Sequence, residues 1–241
     1  MFRFLVNCPI RAVLVICCGL VAQPGLAQQF VIDDAGITDP GACQIEGWFS
    51  ERTGWVLPAC TPFSRTEITL GIGLVREAHG DHTHDEVEFV AQATVSLQPD
   101  AHRRIGASVV AGIGSSPFAQ TAGERVEEVF AYVPITYTTN GQSVQIHLNS
   151  GWAYNRLYEV HRALHGVRAD VSVRAPLQVI GEVFGEGVDT GFKVGLRLHE
   201  IPDLLSIDGS YGNGFSADDP GIGLAVGIAI TPGAFFRPIR L

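Results

Sequence analysis

The chain has 241 residues, a formal net charge of −9, and an apolar, glycine-rich composition with 28 Gly and 46% hydrophobic residues. The acidic balance argues against a nucleic-acid partner. No run beyond residue 27 is long and apolar enough for a spanning helix, so the apolar surface needs another home.

The first 27 residues are laid out as a secretory leader. Arg3 and Arg11 start it, AVLVICCGLVA (12–22) is a short apolar run, and GLA (25–27) is a small-residue exit. Cleavage after Ala27 is expected, leaving residues 28–241 as one domain. Val15-Ile16-Cys17-Cys18 lacks the small residues that a lipoprotein leader needs before its cysteine. Loss of two arginines and no acid takes 16 basic residues to 14 against 25 acidic, a net charge of −11. Cys43 and Cys60 are the cysteines that remain, and export to an oxidising compartment predicts a disulfide between them.

The first element after the leader is a hairpin over 43–60. With S-E-R-T (50–53) as its loop, Cys43 opposes Cys60, within disulfide range, and Trp48 opposes Trp55. Two unrelated free thiols are the alternative. Period-two alternation then marks strand after strand. Ile68, Leu70, Ile72 and Leu74 share one face, and Glu67, Thr69, Gly71 and Gly73 the other. The same pattern runs through 86–98, 143–149, 167–174, 192–199 and 205–210. Weaker strands fit 104–114, 126–138, 177–184 and 221–230, which brings the expected count to about twelve.

Two architectures bury an alternating face. A soluble sandwich turns it inward, whereas a transmembrane barrel turns it to lipid and keeps polar residues in the lumen. Strands of about 9–13 residues are long enough for a tilted span of the hydrocarbon layer. Short connections are expected near 99–102, 139–141, 175–176 and 201–203, and longer ones at 76–86, 115–125, 154–164, 185–190 and 212–220. Short turns on one rim and long loops on the other favour an all-β, antiparallel outer-membrane barrel.

The wording of several segments points the same way. VQIHLNSGWAYNR (144–156), LQVIGEVFGE (177–186), GLRLHEIPDLLSIDGSYGNG (195–214) and GIGLAVGIAITP (221–232), together with DDAGITDPGACQIEGW (33–48) and LPACTP (57–62), resemble proteobacterial outer-membrane barrels of the meta-pathway-of-phenol-degradation transporter type. The resemblance implies uptake of small organic molecules across the outer membrane and carries no catalytic residues. One departure is the tail, which continues past the last strand through Phe235 and Phe236 to Leu241.

The alternation assigns Glu67, Glu88, Arg168, Asp170, Arg174, Glu182, Lys193, Arg197 and Asp208 to the lumen. A charge facing lipid at mid-depth would cost about 2–4 kcal/mol. These residues are expected either to set the selectivity of a polar path for a small-molecule solute or to plug the lumen with ion pairs. The stretch EAHGDHTHDE (77–86) carries His79, His82 and His84, expected in a loop outside the cell. It reads as a hydrated loop or as a weak surface site for Zn²⁺, Cu²⁺ or Ni²⁺. His161 and His165 read as loop decoration, or as a ligand pair on a helical turn. No G-x-S-x-G occurs, and Ser143 and Ser150 are badly placed to serve His147 as a base, so no enzyme is expected. Tyr132, Tyr137, Trp152, Tyr154, Phe184 and Tyr211 are expected in an interfacial girdle, or at an entry for aromatic solutes. No cofactor is needed. The expected surroundings are outer-membrane lipid, lipopolysaccharide and the barrel-assembly machinery.

Overall fold

The computed structural model describes residues 30–79, 82–97, 104–116, 126–201, 204–215 and 223–239. Twelve strands close into one antiparallel barrel, each paired with its neighbours in sequence and β1 with β12. They are β1 (Cys43–Ser50), β2 (Thr53–Phe63), β3 (Thr66–His79), β4 (His82–Ser96), β5 (Ile105–Ser115), β6 (Glu128–Thr138), β7 (Val144–Asn155), β8 (Val160–Arg174), β9 (Leu177–Glu186), β10 (Asp189–Ile201), β11 (Leu205–Gly214) and β12 (Gly223–Ile230). Closure leaves no sheet edge with unpaired backbone groups, the one β arrangement compatible with hydrocarbon.

The alternation sorts the side chains as expected for a membrane barrel. Leu70, Leu74, Val194, Leu196, Leu224 and Val226 face outward and are exposed, whereas Glu67, Asp170, Glu182 and Asp208 on the alternate positions are buried. An apolar outside and a charged inside invert a soluble core. Leu196→Arg, at the middle of β10, is therefore expected to cost about 2–4 kcal/mol. Unfolding in phospholipid vesicles measures it, and a cost below about 0.5 kcal/mol, the usual range for an exposed substitution in water, would contradict a lipid-facing surface.

The first hairpin has the expected register, with Cys43 opposite Cys60, Trp48 opposite Trp55 and Phe49 opposite Gly54. The cysteines form a disulfide. It closes a loop with a sequence separation of 17, so replacing both cysteines with serine is expected to lower stability by about 3 kcal/mol through the unfolded chain. The readout is the urea midpoint with and without reductant.

The connections differ from expectation. β3 and β4 run through most of 76–86, β7 and β8 leave only 156–159 between them, and β9 and β10 leave only 187–188. Polar hairpin ends continue the ladder beyond the apolar belt. There, alternation fades because both faces meet water, although the backbone still pairs. The turn expected near 99–102 lies outside the described residues.

At the rim where β1 begins and β12 ends, the tail after β12 crosses to the start of β1. The Phe235 and Phe236 amides both donate to the Gly41 carbonyl (3.1 and 3.2 Å), and the Ile239 amide donates to the Pro62 carbonyl (2.8 Å). Gly41 has φ +85°, and a Cβ there would collide with the Phe236 carbonyl oxygen. Only glycine fits this junction. From it, the chain preceding β1 turns into the lumen.

Candidate functional site: a lumen occupied by the N-terminal segment

The lumen is layered. Toward the rim where β1 ends, Trp48, Trp55, Leu57 and Val75 form one buried apolar cluster, and Val110, Phe130, Ala153 and Leu164 another, with Val90 packed against both. Trp48 and Trp55 stack across β1 and β2 with centroids 6.4 Å apart, a cross-strand aromatic pair. Beyond the apolar layer, Arg162 bridges Glu128 of β6 and Glu186 of β9, the latter at 2.5 Å.

Toward the rim where β1 begins, the walls are charged. Arg168 Nε donates to Asp170 Oδ1 (2.9 Å), and Arg197 Nε donates to Asp208 Oδ1 (2.6 Å). Lys193 Nζ lies 3.9 Å from Glu182 Oε1. His147 sits between Thr136, 2.9 Å from its Nδ1, and Asp170, 3.6 Å from its Nε2. The burial is nearly complete, with relative exposure of 1% at Lys193, 3% at Glu182 and 5% at Arg168. At such sites an unpaired charge is severely unfavourable, which is why each of these ions is matched.

Residues 30–38 occupy the space between these walls, an outcome for which the sequence offered no periodic signal. Phe30, Ile32, Ala35 and Thr38 are buried. The Val31 and Ile32 amides donate to the two oxygens of Glu182 (2.9 and 3.0 Å), and Arg168 Nη1 donates to the Ile32 carbonyl (2.5 Å). The Ala35 amide donates to Thr136 Oγ1 (2.8 Å), and Ser108 Oγ donates to the Ala35 carbonyl (2.6 Å). The Thr38 amide donates to Glu67 Oε2 (2.8 Å). The guanidinium groups of Arg168 and Arg197 and the ammonium of Lys193 lie 5.6–5.8 Å from the Phe30 ring centroid. Tyr132 donates its hydroxyl proton to Asp33.

Of the sequence-assigned lumen residues, Glu67, Arg168, Asp170, Glu182, Lys193, Arg197 and Asp208 meet in this charged layer, and Glu88 is half-buried on β4 opposite Gly73. Arg174 does not join them. It is exposed at the end of β8, where the register slips between Ser172 and Arg174 and the chain turns into β9. Glu46 also lies on the Trp48 face of β1, a strand whose Gly47 and Trp48 interrupt the apolar alternation that marks an inward charge elsewhere. Tyr132 and Phe184 also depart from expectation: both lie on inward faces, whereas Tyr137, Trp152 and Tyr211 are exposed on the outside.

The histidine expectations divide. In the β3–β4 hairpin, the register pairs His79 with His82 and Glu77 with His84. These residues continue the strands instead of looping, and the side chains of His79, His82 and His84 lie outside the described set. His161 and His165 are in β8, not in a loop or helix. Four residues along a strand span about 13 Å, too far for one metal ion. His161 instead accepts a hydrogen bond from Trp152 Nε1 (3.1 Å) and stacks on Tyr154.

A family model described as "Uncharacterised conserved protein UCP029691" matches residues 18–231. The chain belongs to that family. No curated protein matches this UCP029691 member. Among solved structures, it is similar to the KdgM porin, at 9% identity and a TM-score of 0.58 over 78% of this chain and 98% of that one. A second KdgM porin structure, in complex with disordered oligogalacturonate, gives the same values. The NanC porin matches at 7% identity and a TM-score of 0.52, over 78% and 99%. At such identities the likeness establishes a shared barrel fold.

Proposed function

We propose that this UCP029691 protein is an outer-membrane channel for small solutes, closed in the present state by its own N-terminal segment. The observation that carries the proposal is the inverted barrel. Its outside is apolar, and its inside carries paired ions around residues 30–38, which are anchored by hydrogen bonds and not by strand pairing. In this reading, residues 1–27 are a cleaved export signal. The belt meets outer-membrane lipid and lipopolysaccharide after insertion by the barrel-assembly machinery. Glu67, Glu88, Arg168, Asp170, Glu182, Lys193, Arg197 and Asp208 line the path and set its selectivity once the segment leaves. The shared fold with KdgM and NanC porins supports a channel, and the resemblance to meta-pathway transporters supports a small organic solute.

A structural barrel with a permanently filled lumen is the second reading. It is favoured by the apolar layer around Trp55 and Phe130, which would remain after residues 30–38 left. Solute flux into proteoliposomes separates the two. The channel reading expects uptake of small sugars and organic acids by a variant with a weakened segment. Absence of uptake by both that variant and the wild type would leave the structural barrel.

A further inference from the structure

Residues 30–38 are bound by the lumen and not merely enclosed by it. Six main-chain groups of the segment have partners on the barrel wall: the amides of Val31, Ile32, Ala35 and Thr38 and the carbonyls of Ile32 and Ala35. Glu182 takes two successive amides on one carboxylate. With its amide turned so that oxygen meets donor and nitrogen meets acceptor, Asn149 answers both groups of Asp33, at 2.8 Å to the Asp33 nitrogen and 3.0 Å to the Asp33 oxygen. Matching an N–H and a C=O of one residue with a single primary amide is recognition of peptide main chain.

The wall is also cut to fit side chains. A Cβ on Gly166 would collide with Ile32 Cδ1, and one on Gly195 would come within 3.0 Å of Phe30 Cζ. The Phe30 hollow is rimmed by the cations Arg168, Lys193 and Arg197, a favourable setting for a π face. Asp33, at the fourth position, receives the Tyr132 hydroxyl, and Asp34 lies 3.9 Å from Arg168. Main-chain bonds supply affinity and shaped hollows supply selectivity, a division of labour common in peptide recognition.

We infer that the lumen is a binding site for a bent peptide segment, with an aromatic residue at its first position, a branched aliphatic at its third and an acid at its fourth. Residues 30–38 occupy this site in cis. The inference rests on the reading of that segment as removable, and it adds what the vacated site takes: a second peptide of the same chemistry, supplied in trans.

The test uses the full chain in detergent micelles and the acetylated nonapeptide Phe-Val-Ile-Asp-Asp-Ala-Gly-Ile-Thr, labelled at its C-terminus. Phe30→Ala combined with Ile32→Ala weakens the cis occupant and changes no strand residue. The variant is expected to bind the peptide saturably and at least about tenfold tighter than the wild type, whose site is filled. Replacing the peptide's Phe by Ala should weaken binding by about tenfold or more. No saturable binding to the variant, or equal binding of a scrambled nonapeptide, overturns the inference. A second measurement needs no variant. In the wild type, the Val31, Ile32, Ala35 and Thr38 amides should exchange hydrogen at least about a hundredfold slower than in the free peptide. Exchange at the free-peptide rate also overturns it. Neither readout uses conductance, so a barrel that binds peptide but passes no solute would count against the channel alone.

Discussion

A full-length chain carrying Phe30→Ala and Ile32→Ala is expected to conduct in planar bilayers where the wild type is closed. Truncating a buried Phe or Ile costs about 2–5 kcal/mol in a rigid core. The lumen is bordered by charged groups that water can rehydrate when the segment leaves, so the lower end applies, about 4 kcal/mol for the pair. That shifts the ratio of bound to released segment by roughly a thousandfold. A wild-type channel open about one part in a thousand of the time would then be open about half the time. Current should rise accordingly, with ion selectivity set by Arg168, Lys193, Arg197 and the carboxylates beside them. A variant that inserts and remains as silent as the wild type would show that the apolar layer, not the segment, closes the lumen.

Glu182→Ala is expected to be the most destabilising single change in the charged layer. It removes the carboxylate facing Lys193 across β9 and β10, and with it the acceptor for the Val31 and Ile32 amides. Removing one partner of a buried ion pair typically costs about 3–5 kcal/mol, because the other charge stays buried with less compensation. Glu182→Gln retains an oxygen for one amide and should lose less. Glu182→Ala with Lys193→Ala should recover part of the loss, since the cation is removed too; the cycle gives the coupling directly. Urea unfolding in micelles is the measurement. A loss below about 0.5 kcal/mol for the single alanine variant, the size usual for an exposed substitution, would mean that water reaches this pair freely.

The two experiments probe different contacts of one arrangement. The first removes apolar side chains from the segment and leaves the wall intact. The second alters the wall and so releases the segment as well. If the segment acts as a gate, Glu182→Ala should also raise conductance, and the ratio of its two effects tells how much of the network's stability resides in holding residues 30–38.

The barrel was legible because a lipid-facing sheet imposes period two on every strand, and Ile68 through Leu74 or Phe192 through Leu198 show it without reference to any partner. The hairpin register of Cys43 with Cys60 was legible for a similar reason, since a short loop leaves one pairing that opposes both cysteines and both tryptophans. The strand ends were not. Residues such as Glu77 or Tyr154 continue a ladder in water, where hydrophobicity no longer marks which face is which. Arg174 follows the same alternation as Arg168, yet a register slip and a turn put it on the rim.

Sequence alone therefore determined the closed all-β architecture and the sorting of charges to its interior, because each strand records locally which side meets hydrocarbon. Only the tertiary structure decided that residues 30–38 fill that interior. The segment has no period, and its partners lie 101 residues away at Thr136, 150 at Glu182 and 136 at Arg168. Hydrogen bonds over such separations exist only after the ring has closed, and no local pattern encodes them.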